Sequence, residues 1–561
     1  MKETKFLSIA IGILQGMQDG DHPDEVVMKM TAEQMYDALT ELEKQYSDEL
    51  QKNLQAEKNA LKVKKTGNLR VTTMDGSGKN IPAQVKLFRL QKGETPQNFN
   101  RVNGRITMDR RITGFDGELI CEIAAGEYVA EISCGSEYEI ITDSFIVTED
   151  ALTQRRYELK RFADMAAKGW YAGDLHHHSI YSSPVYGGTD DVSERPHEVC
   201  NSMMAMGLSF GALSDHHNVL NHQEWKKEKR ENFLPVISKE ISTSNGHVMA
   251  LGVEEDVIYR IPDDEHRKED YLRFEFRRIV SQIKAAGGLA QLNHPRDLSV
   301  SISWNPKFYD MIDIFESMEI WNGSNPMLKG STNDMAYRLW IELLRQGRYI
   351  PATTGSDTHN TRADDYNAFY DELSALFQVI RQNRAAASGN YQKEVYVFEQ
   401  IFSKVIPVME KWAETNLTSG GVRTYVYQKG KPEQQSILEA IRRGHSFLTD
   451  GPVLIPEFAE EGSTERRIPG DHVRLEEQQK SLKGHIQLFS NRPLRHMVVY
   501  SEEGIVRDID LKEHNLAEKD RNYCDYSMDL ELQADHTGWF YFMAEDDCTN
   551  MAITNPVFLD R

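Results

Sequence analysis

The chain has 561 residues, of which 40% are hydrophobic and 27% charged, as is ordinary for a globular protein of about three or four domains. Its formal net charge of -22 argues against a nucleic-acid groove, which needs a basic face. No apolar run is long enough to span a membrane, and five cysteines predict no disulfide framework. We therefore expect a cytoplasmic protein, with a secreted or periplasmic location as the alternative.

The N-terminal part of the chain divides into two predicted regions. Residues 1–62 are predicted to be helical, because apolar residues follow one another there at helical spacing. Residues 63–163 change character and show alternating apolar and polar residues, as at 69–73, between glycine-rich turns such as 75–78. This pattern predicts a small β-sandwich.

Short apolar runs in the next region each end in histidine or a carboxylate. These endings are residues 174–178, 215–217, 239–240, 293–294 and 356–359. Helical stretches at 193–206, 267–286 and 331–347 separate several of these runs. Strands alternating with helices predict an α/β fold with a parallel sheet or barrel, where chemistry gathers at the carboxyl ends of the strands. His247 differs, since it stands at the start of its run.

The histidines at these strand ends have two interpretations. A single histidine beside a strand is usually structural, and we interpret His177, His217 and His222 in this way. The whole set is different, because crowding imidazoles and carboxylates together costs desolvation and like-charge repulsion unless a cation compensates. His176 and His178 also lie on one face of an extended chain, where both can bind one ion. The set therefore predicts a metal centre.

The ordered series of motifs resembles the PHP (polymerase and histidinol phosphatase) superfamily, and more narrowly its carbaryl-hydrolase-like branch. The motifs are Asp-Leu-His-x-His-Ser, Ser-Asp-His, a Glu followed by Gly-His, Asn-His-Pro and Gly-Ser-Asp-x-His, and they fall within about 165–360. The resemblance implies a distorted (β/α)7 barrel, here 164–450, with two or three divalent metals. It also implies flanking β-domains, which here are the sandwich at 63–163 and a second sandwich at 451–561.

The resemblance further implies a set of metal ligands. The first metal is expected on His176, His178, Glu240 and Asp357, and a second on Glu240, His247 and His294. A third would take His216 and His359. Its remaining ligand departs from the family pattern, since the segment after the first motif has no matching histidine and offers Asp190 or Asp191 instead.

The chemistry expected of such a centre is hydrolysis by metal-bound hydroxide, which needs no serine or cysteine nucleophile. His216, His217 or Asp215 would act as acid or base beside the metals. Arg296 would pair with an anionic group such as phosphate, or it is a surface arginine. Donor chemistry of this kind suits zinc, manganese or iron without choosing among them.

The barrel pattern is interrupted after His359. Residues 361–420 are predicted to form a helical insertion over the mouth of the site, as a lid that shapes substrate choice or as a contact between copies of the chain.

A small-molecule substrate is expected, and a phosphoester is favoured because that is the commonest activity the superfamily implies. Carboxyl ester or carbamate cleavage, implied by the narrower branch, is the alternative. A non-catalytic, metal-containing binding protein is the alternative of another class.

Overall fold

The computed structural model describes fourteen stretches of the chain. They are residues 65–90, 93–99, 108–188, 190, 192–260, 269–297, 302–323, 326–327, 331–359, 418–460, 465–476, 478–512, 523–534 and 537–560. The predicted N-terminal helical segment 1–62 and nearly all of the predicted insertion 361–420 lie outside these residues, as does Asp191. In the described parts, no helix is both long and apolar enough to cross a bilayer.

The first described region consists of two sheets that enclose an apolar core. Its strands are β1 (Thr66–Asp75), β2 (Gln84–Arg89), β3 (Met108–Ile112), β4 (Glu118–Ala124), β5 (Gly126–Ser133), β6 (Ile141–Val147) and β7 (Leu152–Leu159). The sheets have the orders β4-β1-β7 and β3-β2-β5-β6. Along β1, Leu69 and Val71 are buried while Asn68 and Arg70 are exposed. The alternating pattern thus turns one face of each sheet towards the core.

The central region contains short strands separated by helices. Its strands are β8 (Trp170–Asp174), β9 (Phe210–Leu213), β10 (Leu234–Thr243), β11 (Gly246–Leu251), β12 (Leu289–Asn293), β13 (Ser317–Asn322) and β14 (Ala352–Gly355). Its α-helices are α1 (Pro196–Ala205), α2 (His222–Trp225), α3 (Glu269–Ala285) and α4 (Thr332–Arg345). Short 3-10 helices lie at Ala166–Lys168, Ile180–Ser182, Pro184–Tyr186, Lys226–Glu228 and Pro306–Ile314.

Helix α4 shows why these helices pack on the sheet. Ser331 caps its start by accepting a hydrogen bond from the Asp334 N–H at 3.2 Å. Leu339, Trp340 and Leu343 then follow at the spacing of one helix face and are buried. Each buried leucine contributes about 2 kcal/mol to this packing.

The central strands form one row in the order β14-β13-β12-β11-β10-β9-β8. Neighbours are parallel except β11, which is antiparallel to both β10 and β12. The expectation of parallel strands therefore fails at β11, because β10 and β11 form a tight hairpin that leaves no room for a crossover helix.

The row of strands curls so that its two ends meet. The Asp357 N–H, just after β14, donates to the His176 carbonyl at 2.8 Å, and the His178 N–H donates to the Thr358 carbonyl at 3.0 Å. The fold of this region is therefore mixed α/β with a curled sheet, and the complete (β/α)7 barrel remains a prediction.

The last region continues the same sheet. Its elements are β15 (Arg423–Tyr427), α5 (Gln434–Arg442), β16 (Ser446–Thr449), β17 (Val453–Ala459), β18 (Arg466–Arg467), β19 (His472–Arg474), β20 (Ser481–Ser490), β21 (Leu494–Ser501), β22 (Gly504–Asp510), β23 (Cys524–Gln533), β24 (Gly538–Asp546), β25 (Met551–Thr554) and β26 (Val557–Asp560). Strand β15 pairs with β8, and β16 pairs with β15 and β25, so the sheet crosses the boundary predicted at residue 450. A second sheet, β18-β17-β20-β23, shares an apolar core with it.

Candidate metal centre

The predicted ligands come from different strands but lie at one edge of the sheet. His176, His216, His294 and Asp357 follow the ends of β8, β9, β12 and β14, and Glu240 lies near the end of β10. Because β11 runs in the opposite direction, its beginning lies at the edge where β10 ends. His247, the exception in the sequence pattern, is therefore brought to the same edge, opposite Ser242 of β10.

Glu240 is the centre of this arrangement. Its side chain is 1% exposed, and its two oxygens face five imidazoles. The ring nitrogens lie 3.1 to 3.7 Å from these oxygens and belong to His176, His178, His216, His247 and His294. The Asn293 amide also donates to Glu240 Oε1 at 2.8 Å. One buried carboxylate shared by five rings is a site that needs cationic charge, since burying it unpaired would cost several kcal/mol.

Asp357 brings two of these rings together from the other side. Its Oδ1 lies 3.1 Å from His176 Nε2 and 2.9 Å from His178 Nε2. The two Nε2 atoms are 3.2 Å apart. Two imidazole nitrogens this close, directed at one carboxylate oxygen, are compatible when a proton or a metal ion lies between them.

A more open group lies beside these ligands. Asp190 Oδ2 is 2.9 Å from His216 Nε2 and 3.3 Å from His359 Nε2. The ring of His178 stacks on the rings of His216 and His359 at 4.5 and 4.3 Å between centroids. The side chains of Asp190 and His359 are 23% and 37% exposed, whereas Glu240 is buried. The structure therefore brings Asp190, one of the two aspartates that the sequence offered, beside His216 and His359.

The described residues contain three groups of side chains that could each hold a metal ion. These groups are His176, Glu240 and His294; His176, His178 and Asp357; and His178, Asp190, His216 and His359. In each group the ligand atoms lie within 4.8 Å of one another. His247 lies outside the three groups and contacts Glu240 Oε1 through Nδ1 at 3.1 Å. Imidazole and carboxylate donors in buried positions suit divalent transition metals.

The imidazoles differ in protonation behaviour because their surroundings differ. Burial alone would lower the pKa of His176, but Asp357, Glu240 and Glu319 together hold it well above its usual value. Burial likewise lowers the pKa of His294, but the carboxylate of Glu240 outweighs burial and raises that pKa to about 9. For His178, burial and the neighbouring His359 and His216 lower the pKa to about 3.

The two carboxylates respond in the opposite sense to burial. Burial raises, but the surrounding histidines, His176 foremost, lower the pKa values of Glu240 and Asp357 well below their usual range. The centre thus combines anionic carboxylates with rings such as His176 and His294, on which those carboxylates favour a proton in the metal-free protein. A divalent ion would replace those protons.

Asp215, predicted as an acid or base, lies behind the cluster. It is fully buried, and its oxygens accept from Ser179 N and Oγ at 2.7 Å, Ser182 Oγ at 2.8 Å and Asn221 Nδ2 at 2.5 Å. Ser182 Oγ also lies 3.0 Å from His178 Nδ1. Asp215 therefore contacts the loop that positions His178, whereas His216, beside it in the chain, faces the cluster.

Arg296 is half-buried two residues after His294. One of its Nη atoms donates to the Tyr309 hydroxyl at 2.5 Å, and the guanidinium lies 5.7 Å from the centre of that ring. Within the described parts of the chain it forms no salt bridge. Its anionic partner stays a prediction.

Two histidines that the sequence suggested were structural behave differently. His177 is fully buried and bonds the His178 carbonyl and Ser419 Oγ, both at 2.8 Å, which fits that interpretation. His217 is half-buried next to His216, and its Nδ1 lies 2.7 Å from the Tyr259 hydroxyl. It lies beside the cluster, and its acid or base role stays a prediction.

Sequence reasoning missed Glu319 altogether. This residue lies within β13, is fully buried and contacts His176 Nδ1 through Oε1 at 3.0 Å. The available signal was a single carboxylate inside an otherwise apolar strand, which is rare unless that carboxylate is paired.

Comparisons with known proteins add little to this site. No family model and no curated protein sequence matches the chain. Among solved structures, a candidate metal-dependent phosphoesterase from Bifidobacterium adolescentis is 15% identical over 34% of this chain and 87% of its own, with a TM-score of 0.25. An amidohydrolase from Chromobacterium violaceum, determined with sulfate and no metal, is 18% identical over 33% and 87%, with a TM-score of 0.23. Scores this low do not identify a function for the chain.

Proposed function

We propose that this protein is a metal-dependent hydrolase that holds two or three divalent ions at the strand ends and acts on a phosphoester. The observation that carries the proposal is the buried Glu240 carboxylate, whose oxygens face five imidazoles. A structural role alone would not require so many titratable groups around one buried carboxylate.

The donor set divides into an inner and an outer part. His176, His178, Glu240, His294 and Asp357 would hold the inner ions, and Asp190, His216 and His359, with His178, would hold the outer one. Divalent ions in such a site lower the pKa of bound water, so that hydroxide is available near neutral pH. Zinc, manganese and iron all suit these donors.

The protein's own residues divide the remaining tasks. Burial of Glu240 and His176 excludes solvent from the inner side of the centre. The exposed edges of Asp190 and His359 leave the outer side open, where a substrate can approach. His216, which faces both Glu240 and Asp190, is placed to hold or release a proton at that boundary.

Arg296 favours a phosphoester over an uncharged ester. A half-buried guanidinium two residues after the ligand His294 in the chain can bind phosphate oxygens in a bidentate manner. Carboxyl ester or carbamate cleavage remains the alternative, because the same centre can act on an uncharged carbonyl.

Two chromogenic substrates test this preference. Metal-free protein reloaded separately with zinc, manganese or iron would be assayed with p-nitrophenyl phosphate and p-nitrophenyl acetate. We expect phosphate cleavage to dominate, and Arg296→Ala to raise KM for the phosphate roughly 10-fold without changing acetate cleavage. Arg338→Ala is the matched control, since Arg338 is an exposed arginine of α4 that pairs with Asp334. Faster acetate cleavage, unaffected by Arg296, would favour the ester alternative.

A further inference from the structure

Glu319 is a carboxylate in the middle of a buried strand. Its neighbours Met318, Ile320 and Trp321 are all fully buried, and so is Glu319 itself. Placing a carboxylate there costs several kcal/mol unless hydrogen bonds compensate. The contacts that compensate for this cost all lead to the metal centre.

Three N–H groups converge on the two oxygens of Glu319. His176 Nδ1 lies 3.0 Å from Oε1, while the His294 N–H and Asn322 Nδ2 donate to Oε2 at 2.9 and 3.2 Å. Asn322 Nδ2 also donates to Asp357 Oδ2 at 3.2 Å. Glu319 and Asn322 of β13 thereby contact residues that follow β8, β12 and β14.

Gly355 leaves the space that this contact needs. A Cβ atom at Gly355 would overlap the side chain of His176 and Oε1 of Glu319. The glycine at the end of β14 therefore allows the carboxylate and the imidazole to meet. This observation is independent of the hydrogen bonds and indicates that the contact is built into the fold.

We infer that Glu319 is a positioning residue of the metal centre, which fixes the tautomer of His176 and the relative placement of the ligands His294 and Asp357. The inference rests on the proposed metal centre and adds a residue outside its ligand set. When Nδ1–H of His176 donates to Glu319, Nε2 keeps its lone pair. That Nε2 is the atom that faces Glu240 and Asp357.

The chemistry of the contact distinguishes a carboxylate from an amide of equal size. Both oxygens of Glu319 face donors, and a glutamine has only one acceptor. If its oxygen faced His176, its NH2 group would oppose the donors on His294 and Asn322. If it were turned round, its NH2 would face His176 Nδ1 and force the ring proton onto Nε2, where it blocks metal binding.

The test measures metal binding rather than turnover. Metal-free wild type and Glu319→Gln would be titrated with Co²⁺, following both the dissociation constant by chelator competition and the visible absorption of the bound ion. We expect Glu319→Gln to bind Co²⁺ about 10- to 100-fold more weakly and with an altered absorption band. Glu316→Gln is the matched control, because Glu316 precedes the same strand and bonds Arg442 and the Ala290 N–H without contacting a ligand.

A second variant protects the test against misfolding. Asn322→Ala removes the link to Asp357 but leaves Glu319 in place, so a smaller loss of Co²⁺ affinity is expected. Circular dichroism would show whether each variant keeps its fold. If Glu319→Gln misfolds, Asn322→Ala decides, and unchanged affinity in that variant overturns the inference.

The outcomes separate this inference from the proposed function. Wild-type affinity in a folded Glu319→Gln overturns the positioning role alone. Wild-type protein that binds Co²⁺ but hydrolyses no substrate overturns the proposed function, while the affinity ratio still decides the role of Glu319. Wild-type protein that binds no Co²⁺ overturns both.

Discussion

Histidines meet carboxylates both at the metal centre and in the C-terminal part of the molecule, but in different ways. In the C-terminal part the pairs are separate: His445–Asp471, His472–Asp560, His485–Asp529 and His496–Glu545, at 2.8 to 3.0 Å. At the metal centre, the buried Glu240 is shared by five rings. Identical residue types therefore form separate histidine–carboxylate contacts in one region and a candidate metal site in the other.

Sharing and burial make the difference. Solvent screens a pair such as His485–Asp529, in which the aspartate is 93% exposed, and such a pair contributes at most about 1 kcal/mol. Rings that share a buried oxygen cannot all be protonated without repulsion, so a divalent ion stabilises the arrangement more than protons do.

Removal of metal should have the largest effect. An ion that binds only the folded chain stabilises it by about 4 kcal/mol when free metal is about 1,000 times Kd. We therefore expect a chelator to lower the melting temperature measured by calorimetry, and added metal to restore it. His485→Gln should melt as the wild type does in both conditions. A melting temperature that chelation does not change would show that no metal stabilises the centre, which would then resemble the C-terminal pairs.

Glu240→Gln should abolish the shared carboxylate while keeping its shape. We expect metal affinity and kcat/KM each to fall by at least about 100-fold, because losing a direct ligand exceeds the usual effect of losing a supporting residue. Elemental analysis and steady-state kinetics would measure the two losses. Glu545→Gln, which removes the carboxylate paired with His496, is the control and should change neither. If the wild type shows no turnover and Glu240→Gln still binds the same ligand, the non-catalytic binding alternative is supported instead.

Asp190→Ala should affect the outer group alone. Asp190 contacts His216 and His359 but belongs to neither inner group. Its loss should therefore weaken the binding of one ion, the outer one, by about 10-fold or more. Metal content per chain, measured after dialysis, should fall by about one ion in this variant and by more in Glu240→Gln. Equal losses in the two variants would contradict the division into inner and outer parts.

Asp471→Asn should have the smallest effect. Burial alone would raise the pKa of Asp471. Hydrogen bonds from His445 and the Ile468 N–H outweigh burial and lower that pKa below its usual value. A carboxyl with a depressed pKa in the folded state stabilises the protein above its unfolded pKa, about 3.9, and the contribution is lost as pH falls through the folded pKa. We expect a cost of about 1 kcal/mol at pH 7, measured by urea unfolding. A difference from the wild type that persists at strongly acid pH would refute this account.

Neighbouring residues show how far the sequence could predict the site. The pair Asp215-His216 is recognisable in the sequence, but successive side chains of an extended chain point to opposite sides. Only the fold shows that His216 faces Glu240 while Asp215 turns towards Ser179 and Ser182. His247 was recognised as well, yet its place at the start of a run became intelligible only through the reversed direction of β11.

Glu319 marks the limit of sequence reasoning here. It stands in no histidine-rich ending, and a lone carboxylate in an apolar strand has no spacing that points to a function. Its role emerges from the contact with His176, which lies 143 positions away along the chain.

The order of amino acids was sufficient to place imidazoles and carboxylates at the ends of short apolar runs, because strand length and polarity are local properties. It was also sufficient to make a metal more plausible than chance crowding. The tertiary structure decided which carboxylate oxygen contacts which ring. His178 and Asp357, for example, are 179 positions apart and meet only where the curled sheet brings the ends of β8 and β14 together. Coordination depends on distances of a few ångströms, and packing determines those distances.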